Sequence, residues 1–175
     1  MSIQLELERQ NERLQLLLNL TNKITSNLDL RDVLSAIAGN IRTVMRGDLV
    51  GISIFDEATG KLRVYALDFP LGKGIVKEGL LITPTESSRR VIDSLTPLLI
   101  NAADFDEFPP EVRGELVLAE GTKSFCILPL ANRGRALGTL AIGRTTEIPF
   151  ASDETEFLGQ MAGQIAIALE NALGV

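Results

Sequence analysis

Apolar positions along this chain follow two different spacings, and the change from one to the other divides it into elements. Ile3, Leu7, Leu14, Leu17, Ile24 and Leu28 fall on one seven-residue repeat, interrupted by the polar Gln10 and Thr21. That seam predicts a helix over residues 3–26, suited to a two-stranded coiled coil or a bundle face. Its first half carries Glu6, Glu8, Arg9, Glu12 and Arg13, with few apolar residues off the seam. The helix either lies on its own domain or packs on a partner helix, and the charged first half weighs toward the partner. A second helix is predicted from about Leu30 to Met45, where Val33, Leu34, Ile37, Ile41, Val44 and Met45 repeat every three or four residues. Asp29 can cap it, Asp32 suits its positive end, and Gly47 fits its stop.

From Leu49 the pattern changes. Leu49 to Phe55 is β-branched and apolar and predicts a strand, with Thr59-Gly60 as a turn and Lys61 to Leu67 as its hairpin partner. Residues 68–79 hold Pro70 and three glycines and read as a loop, followed by a short strand at Leu80 to Thr83. A helix is expected over Pro84 to Ser94 and a short strand over Pro97 to Asn101. Residues 102–110 form an acidic loop, and Pro109-Pro110 open a helix to about Ala119, ended by Gly121. Lys123 to Leu130 and Ala136 to Gly143 are two strands with a tight turn at Asn132-Arg133-Gly134. A closing helix runs from about Asp153 to Ala172, capped by Ser152, with Phe157, Leu158, Met161, Ile165, Ala168, Leu169 and Ala172 on its apolar face. This order predicts an α+β domain with a largely antiparallel sheet. The terminal helices should cover one face together and the short middle helices the other.

Composition narrows the chemistry. With 175 residues, 45% of them apolar, the chain can bury the core of one domain without disulfides or metals. It has no histidine and one cysteine, Cys126. Ser-His-Asp and Cys-His nucleophiles, histidine-ligated haem and histidine-containing zinc sites are thereby excluded, and a lone thiol makes neither a disulfide nor a zinc site. The net charge of −6 opposes direct contact with DNA or RNA. No apolar run reaches the roughly 20 residues of a membrane span, and the N-terminus carries acids where a signal peptide would be basic. The expected location is the cytoplasm, with no membrane contact.

Ser124-Phe125-Cys126-Ile127-Leu128-Pro129-Leu130 is followed by Arg133-Gly134 and Leu137-Gly138-Thr139-Leu140, then by Phe150, Asp153, Leu158 and Gln164 to Ala172. In that order and spacing the chain resembles a GAF domain over nearly its whole length. Asp68-Phe69-Pro70 near Gly74, with Ala119 to Ser124, is similar to the sensory GAF domain of σ54-dependent activators of the formate hydrogenlyase activator type. The resemblance implies a six-stranded antiparallel sheet with helices on both faces and the N- and C-terminal helices packed together. It also implies a small-molecule pocket between the sheet and the middle helices, and terminal helices that pair two subunits and signal to an effector domain. Residues 1–28 would be the signalling and dimerisation helix, with Ile3, Leu7, Leu14, Leu17 and Ile24 at the dimer interface, and residues 29–175 the GAF domain. No Walker-type GxxxxGK[ST] loop occurs, so an ATPase effector would belong to a longer protein.

Several motifs have competing readings. Gly51-Ile52-Ser53-Ile54-Phe55 resembles half of a nucleophile elbow, but without the second glycine or a histidine it reads as an ordinary strand. Gly72-Lys73-Gly74 reads as a flexible loop. Cys126 reads as a small buried side chain, with redox sensing left open. GAF domains that hold a bilin on a cysteine usually have a neighbouring histidine, and those that reduce free methionine sulfoxide have several cysteines; neither pattern is met. Phe150, Asp153 and Glu154 resemble the end of a cyclic-nucleotide signature whose remainder has no counterpart here. Arg89 and Arg90, with the serines before them, form the best polar group for an anion near a helix N-terminus.

Strand alternation groups Ser53 with Phe55, Tyr65 with Leu67, and Ser124 with Cys126. The GAF resemblance brings these toward the pocket, with Ser88 and Arg89 from the helix and Asp104, Phe105 and Thr122 from the loops. The expected function is a sensory module that binds a small molecule and controls an effector domain in transcription or signal transduction. Arg89 points to a small anion such as a carboxylate as ligand. No catalytic residue, cofactor or metal is expected. The alternatives are a purely structural dimerisation domain and, more remotely, a methionine sulfoxide reductase.

Overall fold

The computed structural model describes residues 3–9, 11–12, 27–72, 77–101 and 121–174. Residues 3–9 and 11–12 are helical. The elements that follow are α1 (Asn27–Met45), β1 (Leu49–Asp56), β2 (Lys61–Asp68), β3 (Leu81–Ile82), α2 (Glu86–Ser94), β4 (Leu98–Ile100), β5 (Ser124–Asn132), β6 (Arg135–Arg144) and α3 (Ser152–Leu173). The six strands form one sheet in the order β3-β2-β1-β6-β5-β4, and every neighbouring pair is antiparallel. The expected acidic loop and the helix to Ala119 lie outside the described residues.

Local chemistry explains the connections. Arg133 and Gly134 both take positive φ, 56° and 75°, which is the geometry a two-residue hairpin needs to match the twist of β5 and β6. Three expected caps are corrected. Helix α1 already begins at Asn27, so Asp29 lies inside it rather than at its cap. It ends on Arg46, not Gly47, in the left-handed conformation (φ 53°), and the Gly47 N–H closes the turn on the Arg42 carbonyl at 2.9 Å. Ser152 is the first residue of α3, whose cap is Ala151; Glu154 reaches back to accept the Ala151 N–H at 2.9 Å, which fixes the start one residue earlier.

The main core lies between one sheet face and the two long helices. Leu34, Ile37 and Ile41 of α1 and Leu158, Met161 and Ile165 of α3 meet Ile52, Leu128, Leu140 and Ile142 of the sheet, all of them fully buried or nearly so. Leu7 packs against this core, whereas Ile3 is 70% exposed. Leu14, Leu17 and Ile24, the rest of the expected seam, lie outside the described residues. On the opposite face α2 covers a smaller cluster of Val91, Ile100, Phe125 and Ile127. The terminal helices therefore share one face, and a short helix takes the other.

Arg144, at the end of β6, holds the helix ends in place. It is 4% exposed and donates to the carbonyls of Met45 (2.6 Å) and Pro149 (3.0 Å) and to the Glu154 carboxylate (2.8 Å). Its guanidinium also lies 4.0 Å from the centre of the Phe150 ring. One side chain thus joins the C-terminus of α1, the β6–α3 connection and the N-terminus of α3.

Two predictions follow from this core. Arg144→Met keeps the apolar stem but strands the Met45 and Pro149 carbonyls and the Glu154 carboxylate, and should lower stability by about 3 kcal/mol. Urea unfolding measures it; a loss below about 1 kcal/mol would show that water replaces these bonds easily. Cys126 is fully buried in the main core, and burial pushes its thiol from 9.0 up to about 12. The unfolded chain then gives up its thiol proton at lower pH than the folded one. The thiol's contribution to stability is complete below pH 9 and is lost as pH rises toward 12. Wild type should show an extra alkaline fall, up to tenfold in the folding constant per pH unit, that Cys126→Ala lacks. Parallel pH profiles of the two proteins would disprove it.

Candidate functional site

The sheet face beneath α2 is not filled to close packing. A cavity of about 100 Å³ lies there, well above the roughly 10–15 Å³ that one water needs. Its floor comes from alternate residues of the central strands. On β1 these are Leu49, Gly51 and Ser53; their register partners on β6, Thr139 and Ala141, stand opposite Ser53 and Gly51. Phe125 and Ile127 of β5 and Leu62, Val64 and Leu67 of β2 close the sides. Thr85, the cap of α2, with Ser87 and Ser88 from its first turn, forms the roof. A broader hollow of about 540 Å³ around Arg90, Asp93 and Pro97 lies open at the surface beside the α2–β4 turn. The deeper, less open cavity on the sheet is the better candidate site, because it removes more of what it holds from water.

The lining is apolar except for hydroxyls. Ser53 and Thr139 are a directly opposed cross-strand pair, both buried. Thr85 caps α2: its Oγ1 accepts the Ser88 N–H and donates to Ser88 Oγ, each at 3.2 Å. Ser87 is fully buried, and its Oγ has no hydrogen-bond partner. Among the described residues, no charged side chain lines the cavity.

The residues expected at the site divide accordingly. Ser53, Leu67 and Ser88 line the cavity. Thr122 is buried against Gly143 beside Leu49, at the cavity's margin. Phe55 is half-buried near the end of β1 and lies outside the lining. Tyr65 is on the other face, packed on the main core with the Arg31 guanidinium 5.0 Å from its ring centre. The cause is a bulge. Ile52 pairs with Ala66 but Ser53 pairs with Val64, so Tyr65 is the extra residue and the alternation of β2 shifts there. Tyr65 and Leu67 therefore do not share a face. Cys126 and Ser124 do share one, but it faces the terminal helices: Cys126 belongs to the main core, and Ser124 pairs with Arg144. Arg89 is exposed, because the turn of α2 that buries Ser87, Ser88 and Val91 carries positions 89 and 90 into solvent. The anionic ligand expected from Arg89 thus loses its charge partner. Asp104 and Phe105 lie outside the described residues.

Thr139, Ser87, Leu62, Val64 and Phe125 belong to the lining without having been expected there. The position of Ser87 was readable from helix phase, since it lies four residues before the apolar Val91. Thr139 depended on the β1–β6 register, which no local pattern reveals.

A GAF domain profile matches residues 29–169. The formate hydrogenlyase transcriptional activator of Escherichia coli (strain K12) is 26% identical over 167 residues, covering 94% of this chain and 24% of that protein. The chain therefore spans about a quarter of the length of this curated relative. Among solved structures, the GAF domain of an Acinetobacter phosphoenolpyruvate-protein phosphotransferase superposes with a TM-score of 0.73 at 18% identity, covering 100% of this chain and 98% of that one. A free methionine-R-sulfoxide reductase from Neisseria meningitidis, solved with its substrate, gives 0.72 at 16% identity, covering 97% and 93%. At these identities the two structures show the fold. The sheet order, the helices on both faces and the profile agree, and the chain belongs to the GAF domain family.

Proposed function

We propose that this GAF domain is a sensory module: a small molecule occupies the cavity beneath α2, and the terminal helices pass its presence to an effector domain of a longer cytoplasmic protein that regulates transcription or signalling. The observation that carries this reading is the cavity itself, lined by apolar residues with a few serines and threonines among them, the composition of a small-ligand site. The similarity to a transcriptional activator, of which the chain matches one part, supports a regulatory role. Catalysis is disfavoured by the chemistry at hand. The chain has no histidine, and its one thiol faces the far side of the sheet from the cavity. No helix among the described residues is long and apolar enough to cross a membrane.

Pairing of two subunits through the terminal helices is part of the same proposal. Ile3 and Ile167, 70% and 47% exposed, are the apolar side chains that favour it.

Both halves can be measured. A ligand at 100 times its dissociation constant stabilises the folded state by about 2.7 kcal/mol, a rise of about 7 °C in Tm for a domain of this size. A small-molecule library screened by thermal shift should contain compounds that reach that rise, and Ala141→Leu, which fills the cavity, should abolish the response. A response that persists in Ala141→Leu places the ligand elsewhere, and a library with no such compound favours a structural domain. For pairing, sedimentation should show a dimer whose dissociation constant rises at least tenfold in Ile3→Glu/Ile167→Glu, the loss of about 1.4 kcal/mol or more. A wild-type monomer at high concentration refutes pairing.

A further inference from the structure

We infer that the cavity beneath α2 selects a small neutral molecule, with an apolar body and one hydrogen-bonding head held by Ser87. The inference rests on the sensory reading above and narrows it to a chemical class.

Size sets the first limit. An apolar protein cavity of about 150 Å³ takes a benzene ring, so one of about 100 Å³ has room for roughly four or five non-hydrogen atoms. Nucleotides and tetrapyrroles are far too large. A ligand this small also has a low affinity ceiling, in the range of tens of micromolar to millimolar. Such a site reports a compound present at high concentration.

Charge sets the second. Arg89 and Arg90 are exposed, and the walls carry no charged side chain among the described residues. Among the described residues, an anion held there would lose its hydration with only the end of α2 to compensate. Two first-turn N–H groups of that helix are already taken: Ser88 N–H by Thr85 Oγ1, and Arg89 N–H by the Thr85 carbonyl at 2.9 Å. A buried ion without a partner is strongly disfavoured, whereas a neutral molecule meets no such cost.

The head group follows from a buried hydroxyl left over. Thr85 and Ser88 satisfy each other, but Ser87, one of the lining residues, carries a buried Oγ with no hydrogen-bond partner. Buried hydroxyls are rarely left so, because the unmade bond is a standing cost. Turning of the Ser87 hydroxyl toward the cavity would let a carbonyl or hydroxyl oxygen there supply the missing partner. Ser53 and Thr139, side by side on the floor, offer two further hydroxyls. The remaining walls, from Leu62, Val64, Phe125 and Ile127, suit a hydrocarbon body.

Acetone, 2-propanol and acetate test the class, since each has four non-hydrogen atoms and only acetate is charged. Titration of the full chain by amide NMR should give saturable shifts confined to the amides of Ser53, Ser87 and Thr139 and their neighbours. Acetone or 2-propanol should bind at least tenfold more tightly than acetate. Ser87→Ala removes an unpaired hydroxyl and should fold normally, yet weaken the neutral probes about fivefold. Gly51→Ala, whose added methyl sits at an ordinary 3.6 Å from Leu67, should weaken all binding by occupying space. Acetate bound as tightly as acetone overturns the neutral class and leaves the sensory reading intact. Neutral binding unchanged by Ser87→Ala overturns the inference as well. No saturable response from any probe removes both the inference and the sensory reading of this cavity.

Discussion

The pairing of β1 with β6 is the constraint on which the rest of the structure depends. These are the first and last strands in the chain, yet they lie side by side at the centre of the sheet, in register from Leu49 opposite Gly143 to Ile54 opposite Gly138. The approach is close enough that a side chain at Gly138 would overlap the Ser53 carbonyl. Because the start of β1 meets the end of β6, α1 enters and α3 leaves at the same end of the sheet. The two long helices are thereby delivered to one place, where Arg144 joins their ends through the Met45 carbonyl and Glu154. A contact between residues about ninety positions apart thus organises what the local helix propensities could not.

That arrangement leaves the two faces of the sheet unequal. The face under α1 and α3 receives long apolar side chains from both helices and packs densely, with Leu34, Ile41, Leu128, Leu140 and Ile165 fully buried. The other face is covered among the described residues by α2, a helix of nine residues that buries Ser87, Ser88 and Val91. Serines and one valine cannot fill the space that leucines would, so the cavity follows from the composition of α2. Its polarity has a local origin: Thr85 is the N-cap, where hydroxyl residues are favoured, and Ser87 and Ser88 follow it on the buried side of the first turn.

Much of this was legible in the sequence. The helix stripes of α1 and α3, the Arg133-Gly134 hairpin and the alternation of the strands gave the element order and the antiparallel sheet, because each is a local pattern with one structural solution. The face assignment was not legible. Strands buried on both sides read as near-continuous apolar runs, so Ser124 to Leu130 defines two sets of side chains without saying which helices each set meets. Cys126 was assigned to the wrong set for that reason. Tyr65 was misplaced by a bulge that no turn residue announces, set by the pairing of β2 with β1. Arg89 is a different kind of error. Its helix phase is readable from Val91, which buries Ser87 and Ser88 and exposes position 89, and burial, not charge, decides what lines a cavity.

The same central strands also bring the site within reach of the helices that would carry a signal. Ser53 and Thr139 face the cavity, while Ile52 and Leu140, one residue away on each strand, are fully buried under α1 and α3. A sheet of this kind cannot shift one face without moving the other, since successive side chains are held by the same backbone. Anything that pushed β1 and β6 apart at the Ser53–Thr139 pair would press on close-packed residues with no free volume to absorb the change. The movement would reach Arg144, three residues beyond Ala141, and so the helix ends it joins. Coupling between cavity and terminal helices therefore needs no separate pathway through the domain. It requires only that occupancy favour one spacing of two strands over another, which sets its upper limit at the difference in ligand affinity between those two states.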